Sequence, residues 1–293
     1  MTRNILLVTN ASRQSAIDAF WQAIELLKTN GLTPIAIEED FSEMSKNGEE
    51  VEVYSDQPIE LALVLGGDGT ILRAAESLRG HKVPILGLNL GHVGFMAEGE
   101  IEDMPEIISR IAAGKYSTSS RMALEVEVYK NKEIVFSSWA LNDVALEKSS
   151  RERMLEVAIE VDSRPISSFG CDGVVFSTPT GSTAYNFSAG GPIVWPDVEA
   201  LLVVPLSAHA LFSRPLVVDR NSRLAVEVLE RNTGHGVIFC DGRRTFEMTP
   251  GSRVEVYKSP TPVELVVFED RPFADRLVSK FNLPVAGWRG PDS

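Results

Sequence analysis

Near Arg121 the spacing of apolar residues changes from a period of about 3.6 to a period of about 2, so one layered architecture cannot accommodate the whole chain. Upstream, short apolar runs alternate with longer amphipathic stretches. Residues 5–8 read as a buried strand, and Ile17, Phe20, Ile24 and Leu27 recur at helical spacing until Gly31 ends their segment. Residues 34–37 and 84–88 read as further strands, and 104–113 as a further helix. The run Leu61 to Leu65 is apolar at every position, as expected of a strand covered by helices on both faces. Strands and helices in this alternation predict a doubly wound parallel sheet.

Downstream, Met122, Leu124, Val126 and Val128 alternate with Ala123, Glu125, Glu127 and Tyr129, and comparable alternation recurs at 153–161, 223–229, 236–240, 253–257 and 263–268. That texture predicts an antiparallel β domain. Helical spacing returns at Phe273, Leu277 and Phe281. The expected class is α/β plus all-β: an N-terminal doubly wound parallel-sheet domain over residues 1–120, completed by a C-terminal helix at 272–293, and a C-terminal antiparallel β-sandwich-like domain over 121–271.

Charge and cysteine usage exclude several classes of function. A formal net charge of -13 over 293 residues argues against a broad basic surface for nucleic acid or an anionic membrane. Cys171 and Cys240 lie far apart and outside any CxxC, which argues against a disulfide framework or a structural zinc. The apolar run near the N-terminus is too short for a signal sequence or a membrane span. A cytoplasmic protein is expected.

The stretch "LALVLGGDGTILRAA" carries the first chemical signal. Position 72 is leucine where a dinucleotide fingerprint beginning at Gly67 needs glycine, and no lysine follows the last glycine as a P-loop requires. The physical logic of a phosphate turn survives: a buried strand passes through Gly66, Gly67 and Gly69 into a helix, so backbone N–H groups can approach an anion and the helix dipole assists them. The competing reading is a tight turn with Asp68 or Thr70 as a helix N-cap. A carboxylate beside polyphosphate requires neutralisation, for which a divalent cation carried on the nucleotide, magnesium or manganese, with Asp68 as an added ligand, is the economical solution.

The second signal is "GCDGVVFSTPTGSTAYNFSAGGP" at 170–192, dense in hydroxyls and glycines and poor in charge, as suits a neutral polar ligand such as a nucleoside. Trp139, Trp195 and Trp288 read as core residues, and the four histidines lack metal-ligand spacing, with His92 and His209 candidates to stand near a ligand.

Taken in order, "LGGDGT" at 65–70, "GLNLGHVGF" at 87–95, "LND" at 141–143, "DGVVFSTPTGSTAYNFSAGGPI" at 172–193 and "RPLVV" at 214–218 resemble the NAD kinases. The glycine turn alone is also similar to lipid and sugar kinases; the STPTGSTAY stretch is far more specific. The resemblance implies transfer of the terminal phosphoryl group of ATP to the 2′-hydroxyl of the adenosine ribose of NAD. It implies Asp68 as the catalytic carboxylate, with Gly66, Gly67, Gly69 and Thr70 on the ATP phosphates. Asp68, Gly69, Phe95, Asn142, Asp143, Asp172, Thr180, Thr183, Ala184, Tyr185 and Ser188 would contact NAD. Asn142 and Asp143 would meet adenine and ribose, with Asp143 standing where many members have Glu; Asp172 would meet the nicotinamide carboxamide. A homodimer or homotetramer is also implied. The alternatives are a noncatalytic NAD/NADP sensor and a lipid or sugar kinase sharing the turn.

Overall fold

The computed structural model describes residues 2–38, 40–41, 51–91, 94–150, 153–268 and 272–285. His92 and Trp288 lie outside the described residues; the helix expected over 272–293 spans only Phe273–Phe281, where Asn282 ends it in the left-handed conformation. Two compact units are present, the first made of residues up to Ser120 together with those from Val263 onward, the second running from Arg121 to Pro262.

In the first unit, an eight-stranded sheet has the order Glu52–Val53, Thr33–Ala36, Asn4–Thr9, Leu61–Leu65, Ile85–Asn89, Val263–Val267, Ser117–Arg121, with Gly99–Glu100 also paired to Ile85–Asn89. Pairing is parallel from Glu52–Val53 through Val263–Val267. Ile5, Leu7, Leu61, Leu63, Leu65, Leu86 and Leu88 pack with the helices Gln14–Thr29 and Met104–Ala112 on one face. The intervening Leu6, Val8, Ala62 and Val64 are equally buried on the other. There the helix Asp68–Ser77 sets Ile71 so closely over Gly87 that any Cβ at 87 would collide with it. Helices on both faces explain why these strands are apolar throughout.

In the second unit, two six-stranded sheets face one another. One runs Leu216–Asp219, Ala200–Leu206, Gly173–Ser177, Asp143–Lys148, Gly236–Cys240, Arg244–Met248; the other runs Arg164–Cys171, Leu155–Val161, Leu224–Val228, Arg253–Lys258, Leu124–Lys130, Glu133–Ala140. Alternate residues of both sheets, among them Val126, Val157, Val226, Leu146, Phe176 and Val203, form one core. Cys171 and Cys240 are free thiols in that core, and burial pushes their pKa values up to about 12 and about 11. Among the described residues no helix is long and apolar enough to cross a membrane.

Two expectations need correction. Residues 263–268 do not extend the antiparallel domain: Val263–Val267 joins the parallel sheet with Leu265 opposite Ile85. Only Glu264 interrupts this run, so five residues look the same as an alternating strand or as a strand buried on both faces. Trp195 is 45% exposed rather than a core residue.

Because Val266 is fully buried in the first unit's core, Val266→Ala should cost on the order of 2 kcal/mol. Hydrogen exchange should then rise in Leu61–Leu65 and Ile85–Asn89 and stay unchanged in Leu224–Val228. Enhanced exchange confined to Leu224–Val228 would contradict the strand's placement.

Candidate functional site

From Asn4–Thr9 the sheet grows through Thr33–Ala36 to Glu52–Val53 on one side, then reverses to place Leu61–Leu65 and Ile85–Asn89 on the other. Such a reversal opens a crevice at the carboxyl ends of the two central strands, where open parallel sheets bind ligands. A cavity of about 310 Å³ lies there, lined by Asn10, Arg13, Gly66, Gly67, Gly69 and Thr70. Two helices begin at its wall: Gln14–Thr29, with Arg13 at the N-cap, and Asp68–Ser77, with Gly67 at the N-cap. Neither helix has a side-chain cap, so first-turn N–H groups and positive dipole ends make the cavity suited to an anion.

The three glycines differ in what they do. A Cβ at Gly66 would collide with the side chain of Thr70, so the fold itself requires glycine there. At Gly67 and Gly69 a Cβ would meet no protein atom within 4 Å, so glycine there keeps space open beside the cavity. Arg73 also lines the cavity, yet both of its terminal nitrogens bind Asp40 at 2.7 Å, which offsets its charge. Asp40 in turn accepts the amide of Thr9 at 3.0 Å. Arg13 is the exposed cation that composition and motif reading passed over; its position one residue before the first helix was the available signal.

Asp68 does not cap its helix. It is the first helical residue, and its carboxylate turns instead to the 94–96 segment, where Oδ2 accepts the amide of Phe95 at 3.0 Å and Oδ1 the amide of Met96 at 3.1 Å. Gly94 permits this approach, because a Cβ there would run into the carboxylate. Two amides fix the orientation of a half-buried group that still has lone pairs for another donor. Phe95 itself is half-buried, its ring 5.9 Å from that of Phe273 and 5.7 Å from that of Phe281.

In the second unit, the hydroxyl-rich stretch is built largely to hold the 141–143 segment. Thr178 donates its hydroxyl to the carbonyl of Leu141 at 2.6 Å and its amide to that of Asn142 at 3.0 Å, and Ser177 donates to the Asn142 carbonyl at 3.2 Å. Gly181 lies against the backbone of Asn142 so closely that a Cβ would overlap it. Ser182 bonds both the amide and the carbonyl of Val194. Ser177, Thr178 and Ser182 are therefore buried and spent on structure, whereas Thr180, Thr183, Ala184 and Tyr185 are half-buried and Ser188 is exposed. Asn142 Oδ1 is buried with no hydrogen-bond partner among the described residues. Asp172, Tyr185 and Ser188 line a cavity of about 580 Å³ together with Glu147, Lys148 and Ser207. Lys148 approaches Asp172 to 2.5 Å, and that hydrogen bond holds the Asp172 pKa below its usual value. Burial, and then the charge of Glu147, push the Tyr185 hydroxyl up to about 12.

Sequence reading also passed over Asp241. It sits at the tip of the hairpin between Gly236–Cys240 and Arg244–Met248, with positive φ at Asp241 (52°) and Gly242 (64°), as an Asp-Gly turn favours. The Asp-Gly pair signals the turn, but not that its carboxylate points inward. Asp241 accepts the amides of Leu141 at 2.9 Å, Asn142 at 2.8 Å and Asp143 at 3.3 Å, and Arg244 bonds it at 3.1 Å while stacking over Trp139. Burial raises the pKa of both aspartates; the amides and Arg244 oppose this at Asp241, whereas Asp143 receives only the amide of Tyr185 against the added charge of Asp241. Burial, followed by that neighbouring charge, pushes Asp143 up to about 7.

The folded protein thus holds the Asp143 proton more tightly than the unfolded chain, where the group titrates near 3.8, and this contribution to stability is lost as pH rises towards 7. Asp143→Asn removes the titration. Its thermal midpoint should therefore rise relative to the unsubstituted protein as pH goes from 5 to 7 and level off above. A difference that does not change across that range would contradict the assignment.

Matches to known proteins agree with this geometry. Residues 5–116 match the model of the ATP-NAD kinase N-terminal domain, and residues 141–268 match that of the ATP-NAD kinase C-terminal domain. An NAD kinase of Leifsonia xyli subsp. xyli is 54% identical over 99% of this chain and 98% of its own length. NAD kinase 2 of Streptomyces avermitilis is 50% identical over 98% of this chain and 97% of its own. In fold, the chain is similar to yeast NADH kinase, solved with NADH, at a TM-score of 0.88 and 21% identity over 98% of this chain and 89% of that one. It is also similar to an NAD kinase from Archaeoglobus fulgidus, solved with ATP, at a TM-score of 0.72 and 24% identity over 96% of this chain and all of that one. With both domain models matched and half or more of its residues shared with relatives along nearly its whole length, the chain belongs to the ATP-NAD kinase family.

Proposed function

We propose that Asp68 orients and then deprotonates the 2′-hydroxyl of the adenosine ribose in the reaction of this family, the ATP-dependent phosphorylation of NAD to NADP. The observation that carries this reading is the pair of amides, Phe95 and Met96, that fixes the Asp68 carboxylate in place of a helix cap. Phosphoryl transfer depends on alignment and charge neutralisation more than on covalent chemistry. The ribose oxygen bonds to the terminal phosphorus, the bond from phosphorus to ADP breaks, and the hydroxyl proton passes to Asp68. A loose transition state places that proton transfer late.

The remaining roles follow from chemistry. Gly66, Gly67, Gly69, Thr70 and Arg13 around the cavity at the strand ends suit the ATP phosphates. The unpaired Oδ1 of Asn142 suits the adenine amino group, and Asp143 suits ribose hydroxyls, which would bind it as the ionised acceptor. Thr180, Thr183, Ala184, Tyr185 and Ser188 offer half-buried and exposed surface for the adenosine, and Asp172 an acceptor for the carboxamide. The Asp68 carboxylate, with lone pairs left beyond its two amides, fits as one protein oxygen for magnesium or manganese arriving on the ATP phosphates, where the ion would neutralise carboxylate and phosphate charge. Exposed Leu211 and Phe212 in the second unit support a homodimer or homotetramer, and the two free thiols support a reducing, cytoplasmic setting.

Protein incubated with NAD, ATP and magnesium should yield NADP, read with a strictly NADP-dependent dehydrogenase; no product across metal and donor conditions would overturn the reading. Asp68→Asn should fold and bind NAD while kcat falls about 10²–10⁴-fold. Gly67→Ala tests the open cavity: Gly67 has φ -82°, which alanine adopts freely, and its Cβ would touch no protein atom. The thermal midpoint should therefore hold while KM for ATP rises roughly tenfold, the loss of about one charge-assisted hydrogen bond.

A further inference from the structure

The helix Phe273–Phe281 carries Phe273, Arg276 and Phe281 on the face that meets the 95–98 segment. Nη1 of Arg276 donates to the carbonyl of Phe95 at 3.3 Å, to the carbonyl of Ala97 at 3.3 Å and to Glu98 Oε1 at 2.7 Å. The other oxygen of Glu98 accepts the amide of Phe268 at 3.0 Å. Both side chains are largely buried, 15% exposed for Arg276 and 1% for Glu98, which holds the geometry more firmly than a surface ion pair could.

One peptide group connects this ion pair to the candidate catalytic carboxylate. The carbonyl oxygen of Phe95 faces Arg276, and the N–H of the same peptide, on Met96, donates to Asp68. A cation at the oxygen end and an anion at the hydrogen end polarise the peptide in the same sense, so each hydrogen bond strengthens the other. The second donor to Asp68, the amide of Phe95, belongs to a residue whose ring lies against Phe273 and Phe281. We propose that Arg276 is a positioning residue for Asp68, acting through the Phe95–Met96 peptide, so that the C-terminal helix sets the aim of the carboxylate. This rests on the reading of Asp68 as the group that receives the ribose hydroxyl.

The test is kinetic and uses the full chain. Arg276→Gln alone would leave Glu98 buried and uncompensated, so the informative variants are Arg276→Lys, which keeps the charge, and Arg276→Gln with Glu98→Gln, which removes both. Both should fold with thermal midpoints near that of the parent and keep KM for NAD and ATP; the neutral pair should lose kcat by about 10–100-fold, the cost of a misaimed catalytic group, while Arg276→Lys, which keeps a cation at the Phe95 carbonyl, should recover most of that loss. In an Asp68→Asn background the same Arg276 substitutions should lower kcat little further, because the effect passes through Asp68. A purely structural role for Arg276 would instead lower kcat by the same factor in both backgrounds. Parental kcat in the folded Arg276→Gln, Glu98→Gln variant, a loss in Arg276→Lys as large as in that pair, a loss confined to KM, or additivity with Asp68→Asn would overturn the proposal. Should that pair fail to fold, Arg276→Met with Glu98→Gln, which also removes both charges, decides by the same kcat loss. Near-parental turnover by Asp68→Asn alone would overturn the reading of Asp68 itself, and so separates the two failures.

Discussion

Backbone N–H groups donated to aspartates hold the loops that make up the candidate site. Asp68 takes the amides of Phe95 and Met96, Asp241 those of Leu141, Asn142 and Asp143, and Asp40 that of Thr9. A loop at the end of a strand has no neighbouring strand to accept its N–H groups, and burying them without partners is costly. A carboxylate is the strongest acceptor the chain can supply. Each aspartate fixes the conformation of a segment remote from it in sequence, and two of the three also meet an arginine, Arg73 for Asp40 and Arg244 for Asp241. Without these clasps the strands would still pair, but their ends would lack a defined shape.

Where ligand-sized space opens follows from topology in the first unit and from loop packing in the second. The sheet of the first unit reverses its direction of growth between Asn4–Thr9 and Leu61–Leu65, and two helix N-termini meet at that reversal. In the second unit the 177–191 segment packs its buried hydroxyls and Gly181 onto the 141–143 segment. This leaves Thr180, Thr183 and Tyr185 half-buried rather than spent on holding that segment. Glycine thus serves two ends in the two stretches: close packing at Gly66 and Gly181, and open space at Gly67 and Gly69.

The strands and helices were legible in sequence because most are long enough to show their period. Leu61–Leu65 stands where its unbroken apolar run places it, and Leu124–Lys130 and Gly236–Cys240 where alternation places them. Val263–Val267 was misread because five residues with one interruption carry too little periodicity to separate the two kinds of strand. The same limit hid the site's supports. Asp241 reads as a hairpin turn and Arg276 as one more cation on an amphipathic helix, since neither pattern records which way a side chain points.

By itself the sequence determined the α/β and all-β classes, the glycine turn entered from a buried strand, and the motifs that mark the family. These are local properties: burial demands a hydrophobic period, a close backbone approach demands glycine, and both are written in consecutive residues. Only the tertiary structure decided that Asp68 turns from its own helix to the amides of Phe95 and Met96, that Asp241 clasps 141–143 from 98 to 100 residues away, and that Arg276 meets a carbonyl 181 residues before it. Those contacts join segments far apart in the chain. A hydrogen bond depends on where its two ends meet in space, and in this protein the packing of the two cores sets that.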